Sequence, residues 1–220
     1  MDFLIDQLKP KKIAELYSPH IGLPDGGVGI QVELDSTYTL PKYEIYAYER
    51  SPHIILLTGD AQPRRAGQYE AAWNVLDFVS RFGCRTLIAL GGYATQQSKA
   101  KNIYAVTSDQ SVVDELKTKF NVQFAQSGMI KGATGVMLGL GKSRSMKCLG
   151  LLSATTGSYP DLQASRNLIQ LIVEMFKLPV DLTEMNNKIT DMESRMEGFQ
   201  IINAPPHTNQ GTRPSHGYIT

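Results

Sequence analysis

The 220-residue sequence predicts an α/β protein of three layers, with helices on both sides of a mostly parallel sheet and one further helix at the C-terminus. Three neighbouring segments carry this expectation. Ile54-Ile55-Leu56-Leu57 is a continuous apolar run closed by Thr58-Gly59-Asp60, the pattern of a strand covered on both faces and so of a parallel sheet beginning here. Residues 68–82 then place Tyr69, Ala72, Trp73, Leu76 and Val79 at three- and four-residue spacing, with Gly83 where a left-handed cap favours glycine, which predicts an amphipathic helix. A second buried run, 86–90, closes on Gly91-Gly92-Tyr93 and completes a strand, helix, strand unit with a right-handed crossover.

The other elements follow in order. Ahead of the unit, residues 1–50 read as a loop-rich opening with half-buried, antiparallel strands near 29–34 and 43–48, where apolar and polar residues alternate. Beyond it come a strand near 103–106 and a helix over 109–120. A glycine-rich stretch, 127–135, then leads into a strand at 136–140. Residues 147–152 are another buried strand, ended by Ala154-Thr155-Thr156-Gly157, and Tyr159-Pro160-Asp161 opens a helix over 162–176, since proline suits a first helical turn. A separate helix spans 182–198, where Leu182, Met185, Ile189, Met192, Met196 and Phe199 form a seven-residue apolar stripe suited to the seam of a helix pair. The domain division expected is a single α/β domain over 1–180, an amphipathic helix over 181–199 and a disordered tail over 200–220, where Pro, Asn, His and Gly dominate.

Composition narrows the function. Apolar residues make up 42% and charged residues 20%, as in a globular chain, and 22 Lys and Arg against 21 Asp and Glu leave no cationic excess for nucleic acid or an anionic membrane. No apolar run approaches the roughly 20 residues of a spanning helix, and the N-terminus has no signal-peptide pattern, so a cytoplasmic protein is expected. Cys84 and Cys148 have neither a zinc nor a disulfide spacing and read as small buried residues.

No pattern of catalytic chemistry emerges. Gly141-Lys142-Ser143 lacks the opening glycine of a phosphate loop, which falls at Val136, and a strand follows where a helix is needed. No Gly-x-Ser-x-Gly elbow exists. His20 and His53 are isolated and His207 and His216 lie in the tail, so neither a Ser/His/Asp set nor a metal site is supported, and no cofactor is expected. What does stand out is that Gly59 and Asp60, Gly91 and Gly92, and Thr155 and Thr156 each follow a buried strand, with Lys131 and Gly132 in the interleaved glycine-rich loop. All should meet at the carboxyl edge of the sheet, where open α/β sheets bind ligands and glycines let backbone N–H groups approach an anion. The duller reading is that glycine merely makes tight turns in any α/β domain.

The same residues carry a family resemblance. Gly59-Asp60-Ala-Gln62, Asp77-Phe78 before Gly83, Leu90-Gly91-Gly92-Tyr93, Gly132-Ala-Thr-Gly135 with Leu138 and Gly139, Leu151-Leu152 to Thr156, Tyr159-Pro160-Asp161 and Val180-Asp181 occur in an order similar to that of the proteasome assembly chaperone family. The chain resembles an archaeal-type member over roughly residues 28–185. The resemblance implies a fold similar to the nucleoside phosphorylase and hydrolase class, and binding of proteasome α subunits in place of catalysis. Three departures stand beside it. Met1 to Lys12 is too short and polar for the family's opening strand, Gly-Phe-Pro-Gly-like turn and helix, so the start is either truncated or lacks that unit. The chain ends Gly217-Tyr218-Ile219-Thr220, with Tyr218 one place too early for the hydrophobic, tyrosine, any-residue tail by which some archaeal members dock. Thr155 stands where many relatives have an acidic residue.

Three readings follow. A non-catalytic, homo-oligomeric chaperone or scaffold would use Met185, Ile189, Met192, Met196, Tyr218 and Ile219 toward partners. An enzyme or sensor would hold a nucleoside-like or phosphorylated ligand at Gly59, Asp60, Gly91, Gly92, Lys131, Gly132, Thr155 and Thr156. A homo-oligomer with unrelated partners is the third. The first is favoured.

Overall fold

The computed structural model describes residues 1–95, 102–125, 127–157 and 161–202, with side chains up to residue 192. The chain divides into two compact units, Met1–Leu182 and Thr183–Thr220. The first opens with α1 (Asp2–Leu8), which buries Leu4 and Leu8 one turn apart and stops at Lys9, whose left-handed backbone precedes Pro10. Strand β1 (Lys11–Leu16) follows, then the short strands β2 (Gln31–Val32) and β3 (Tyr38–Thr39), β4 (Tyr43–Tyr48) and β5 (Ile54–Gly59). Helix α2 (Gln68–Ser80) leads to β6 (Thr86–Ala94), β7 (Ile103–Thr107), α3 (Val113–Phe120), β8 (Gln123–Phe124), α4 (Gly132–Ser143), β9 (Lys147–Thr155) and α5 (Leu162–Phe176). The second unit contains α6 (Thr183–Ile202).

Three sheets form. β1, β4 and β5 make an antiparallel sheet with β4 in the middle; β2 and β3 make a separate two-stranded arm; and the central sheet has the order β6-β9-β7-β8. In the central sheet β6 with β9 and β7 with β8 are parallel, while β7 runs antiparallel to β9, so the sheet is mixed and mostly parallel. The layers follow from the period of two along β9. Leu149 and Leu151 share a cluster with Leu168, Leu171 and Ile172 of α5 and Leu116 of α3. Cys148, on the other face, packs with Leu76 of α2 and with Met137, Leu138 and Leu140 of α4. Covered on both sides, β9 is buried from Cys148 to Ala154, as its apolar run predicts.

The α/β class and three layers agree with the sequence, but several elements do not. The run 54–57 does not open a parallel sheet: β5 pairs antiparallel with β4 alone, and the parallel partner of β6 is β9. A continuous apolar run reports burial of both faces, which either pairing direction allows. The strand expected at 136–140 is instead the core of α4. Four glycines argue against a helix here by propensity, yet they let it sit close. A side chain at Gly141 would come within 2.8 Å of Cys148 Sγ and 2.9 Å of Leu87 Cδ2, and one at Gly135 would collide with the Ile130 carbonyl. The half-buried strand expected at 29–34 shrinks to Gln31–Val32, both exposed. In α2 the buried stripe is Ala71, Ala72, Val75, Leu76 and Val79, whereas Tyr69 and Trp73 lie on its flank, 67% and 48% exposed. Cys84 is only half-buried, while Cys148 is buried. Met1 to Lys12 supplies α1 and the start of β1 rather than loop. Of the tail expected over 200–220, residues 200–202 end α6 and the rest lies outside the described residues.

On the outer face of β1 and β4 a charged cluster forms, in which Glu15 accepts bonds of 2.7 Å from Lys12 Nζ, Lys42 Nζ and Tyr17 OH. The bond from Lys12, with those from Lys42 and Tyr17, lowers the Glu15 carboxyl from 4.5 to about 2. A depressed folded-state value means that the stabilisation is complete above 4.5 and is lost as pH falls toward 2. Glu15→Gln is therefore expected to melt below the native protein at pH 7 and to converge with it near pH 2. A gap that persists at pH 2 would count against the cluster.

A candidate edge site and an apolar cavity

Four segments build the carboxyl edge of the sheets. After β5, Gly59 lies against the Tyr43 ring, where any side chain would collide, and Asp60 turns back on the neighbouring strand. Its Oδ2 accepts the Lys42 N–H at 3.0 Å and its own N–H donates to the Lys42 carbonyl at 3.3 Å. Two residues on, Gln62 Oε1 accepts from the Ala133 N–H at 3.3 Å and occupies the space above Gly132, whose φ of 77° favours glycine. Gln62 thereby ties the end of β5 to the N-terminus of α4, satisfying one of the N–H groups that a helix start leaves without an intrahelical partner.

The end of β6 closes on the same place. A side chain at Gly91 would reach Leu152 Cδ2 at 3.0 Å and Thr134 Oγ1 at 3.9 Å, and one at Gly92 would meet Thr155 Cγ2 at 3.0 Å. Thr155 in turn accepts the Gly157 N–H at 3.2 Å on its hydroxyl and the Thr95 N–H at 2.9 Å on its carbonyl. The structure thus brings Gly59, Asp60, Gly91, Gly92, Gly132 and Thr155 together through a chain of contacts, with Lys131 exposed at the start of α4 and Thr156 exposed after β9. The contacts of Asp60 and Thr155 bind strand ends and turns to one another. The role of Gln62 is the feature that sequence reasoning missed; its signal was a lone polar side chain just past a strand end, which many loops share.

Beneath this edge lies a cavity of about 750 Å³. It is bounded by β5 and β6, with α2 and α4 on one side and Ile172, Phe176 and Leu178 on the other. Gly59, Gln62, Ala133 and Thr134 of the edge line it, as do His53 and Met1, and no Asp, Glu, Lys or Arg side chain does. Among the described residues no three His, Cys, Asp or Glu side chains cluster as metal donors. No described helix is long and apolar enough to cross a membrane.

The partner-facing candidates fall differently. On α6, Met185 and Ile189 are buried and Met192 is exposed; the side chain of Met196, and Tyr218 and Ile219 altogether, lie outside the described residues. A further surface was not foreseen. On the β2–β3 arm Val32 stands opposite Tyr38, and continuing that register puts Ile30 opposite Leu40 on the same face; these four, and Val28 and Leu34 in the flanking loop and turn, are all exposed.

Three layers around a mixed sheet, with an edge whose polar groups hold strands and turns together, define an α/β domain of the three-layer class that the sequence predicts. The chain belongs to the PAC2 family, whose model matches residues 1–200. It is similar to Pyrococcus furiosus PbaB, described as an archaeal proteasome activator, at 28% identity and a TM-score of 0.81, over 90% of this chain and 86% of that one. P. furiosus PbaA, described as an archaeal homolog of proteasome-assembly chaperone, matches at 20% identity and a TM-score of 0.75, over 91% and 80%. An uncharacterised protein of Methanocaldococcus jannaschii is 22% identical over 89% of this chain and 75% of its own length.

Proposed function

We propose that this protein is a non-catalytic, homo-oligomeric chaperone or scaffold of the cytoplasm whose partners are proteasome α subunits. The observation that carries the reading is the family match over residues 1–200, joined to the likeness to PbaB across nine-tenths of the chain. The edge chemistry supports it, since Asp60 and Thr155 are engaged in holding the fold and no Lys or Arg side chain lines the cavity to meet a phosphate. The exposed apolar face of the arm supports self-association: a two-stranded ribbon is marginally stable in water, and covering its apolar face stabilises it.

Affinity purification of the tagged chain from its own cells, followed by mass spectrometry, tests the partner. Proteasome α subunits are expected among the recovered proteins, and their absence from repeated purifications would overturn it. In a broad hydrolase, phosphorylase and kinase screen no turnover above background is expected; activity abolished by Asp60→Asn or Lys131→Met would promote the enzyme reading.

With Met185 and Ile189 buried within the chain, the exposed Met192, and Met196, Tyr218 and Ile219 further along the sequence, are the proposed partner-facing part of the C-terminal unit, because flexible thioethers adapt to varied surfaces. Truncation after Val180 is expected to abolish α-subunit recovery while the remaining domain still melts cooperatively. Wholesale unfolding of the truncated chain would instead make the helix a part of the monomer.

A further inference from the structure

The cavity beneath the edge has a property that pockets for small molecules lack. A strand that faces a pocket with one of its sides contributes alternate residues to the lining. Here every residue of β5, Ile54–Gly59, and every residue of β6 over 86–90 lines the cavity. Consecutive lining means that the two strands meet the space with their edges. Their hydrogen bonding agrees: among the described residues β5 bonds only β4, β6 bonds only β9, and no backbone hydrogen bond joins β5 to β6. Two rows of main-chain N–H and C=O groups therefore border one space, with Ala72 and Val75 of α2 on one side of the sheet and Ile172 and Phe176 of α5 on the other.

The occupant follows from what such a space must satisfy. Bare main-chain donors and acceptors lined up along a strand call for a partner that alternates C=O and N–H at the same repeat, and only another extended backbone does so. Side chains of that strand project above and below the sheet, where they meet the apolar walls formed by α2 and α5. No Asp, Glu, Lys or Arg side chain lines the space, so away from His53 and Met1 a charged side chain entering here would be desolvated among apolar walls. A fatty acyl chain would fill the volume but leave both edges unbonded.

We propose that the gap between β5 and β6 is a binding slot for an extended, uncharged apolar peptide segment, which docks there as an added strand. Five residues of such a segment span about 16 Å, the length of strand that 86–90 offers. The slot does not depend on the partner proposed above, and a synthetic peptide reports on it whatever that partner is.

The probe is a fluorescein-labelled peptide with a Val-Ile-Val-Ile-Val core and a Lys-Gly-Lys solubility tag, titrated into the full-length protein and followed by anisotropy. A saturable rise is expected, along with slowed hydrogen exchange at the alternate amides of β5 and β6 that do not bond β4 or β9. The same peptide N-methylated at alternate residues loses the donors that pair with an edge and is expected to bind weaker by roughly tenfold or more. Ala72→Trp fills the slot from the α2 side and is expected to weaken binding similarly. Should that variant not fold, the N-methylated peptide and the exchange data on the native protein still decide. Three results would each overturn the proposal. Slow exchange of those amides in the free protein would mean that β5 and β6 pair with each other; equal binding of the N-methylated peptide would mean apolar contact alone; and binding of palmitate without the peptide would mean a small-molecule cavity.

Discussion

Leu151→Ala is expected to destabilise the protein by about 2–5 kcal/mol, enough to leave a domain of ordinary stability partly unfolded. Leu151 is fully buried at the centre of β9, the strand that bonds β6 on one side and β7 on the other. Its neighbours in the core come from α3, α5 and the first sheet, so a cavity there is walled by several elements that cannot all move in. The adjacent Gly150 gives the complementary case on the opposite face. A methyl group there would come within 2.9 Å of both Leu138 Cδ1 and Val106 Cγ2, so Gly150→Ala is expected to cost about 1–3 kcal/mol through overpacking. Urea unfolding checks both: the midpoint falls while the slope stays constant. A Leu151→Ala midpoint within error of the native one would show that β9 is not the packed centre of the fold.

Placing two charges on the arm, Val32→Asp with Leu34→Asp, is expected to reduce the mass in solution from that of an oligomer to that of a single chain. Both side chains are exposed within the chain, Leu34 at 108%, so neither change disturbs the core, and the stability of the isolated chain should move by no more than about 0.5 kcal/mol each. In an assembly that covers this face, each carboxylate would have to be desolvated against apolar surface, which is unfavourable by far more than the lost contact. Light scattering in the tens-of-micromolar range reads the mass and a thermal melt reads the fold. A native protein that is already monomeric there, or a doubly substituted one that keeps its oligomer, would show that the arm is not the interface.

How much of this could be read from residues alone depended on the length of each signal. The buried run 147–152 and the helix 162–176 were legible because a continuous apolar stretch marks the one and Tyr159-Pro160-Asp161 opens the other, where the structure adds an Asp161 side-chain cap and a left-handed Lys177 at its end. Where a signal was short, it failed: α1 has only Leu4 and Leu8 to show a helical period, and β1 carries a register shift between Lys12 and Ala14 that breaks its alternation. Helix α4 was hidden for another reason. Its glycines oppose a helix locally, and only the nearness of Cys148, Leu87 and Ile130 explains them. The edge site was legible in outline, since glycines and threonines after buried strands do gather. Its wiring through Gln62 and Lys42 depends on contacts between residues far apart in sequence. The gap between β5 and β6 was invisible, because apolar runs do not say which strands pair.

The position of β9 also sets an order of events during synthesis. It is the last strand of the central sheet to be made, yet it lies between β6 and β7, which share no hydrogen bonds with each other. Until residues 147–155 have emerged, both earlier strands lack the neighbour they will pair with, a wait of several seconds at about 5–20 residues per second. β8 can bond β7 before then, but only over its two residues, Gln123–Phe124. A nascent chain paused anywhere between β6 and β9 therefore presents unpaired apolar strand edges to its surroundings, and this interval of translation is when the chain is most exposed to aggregation.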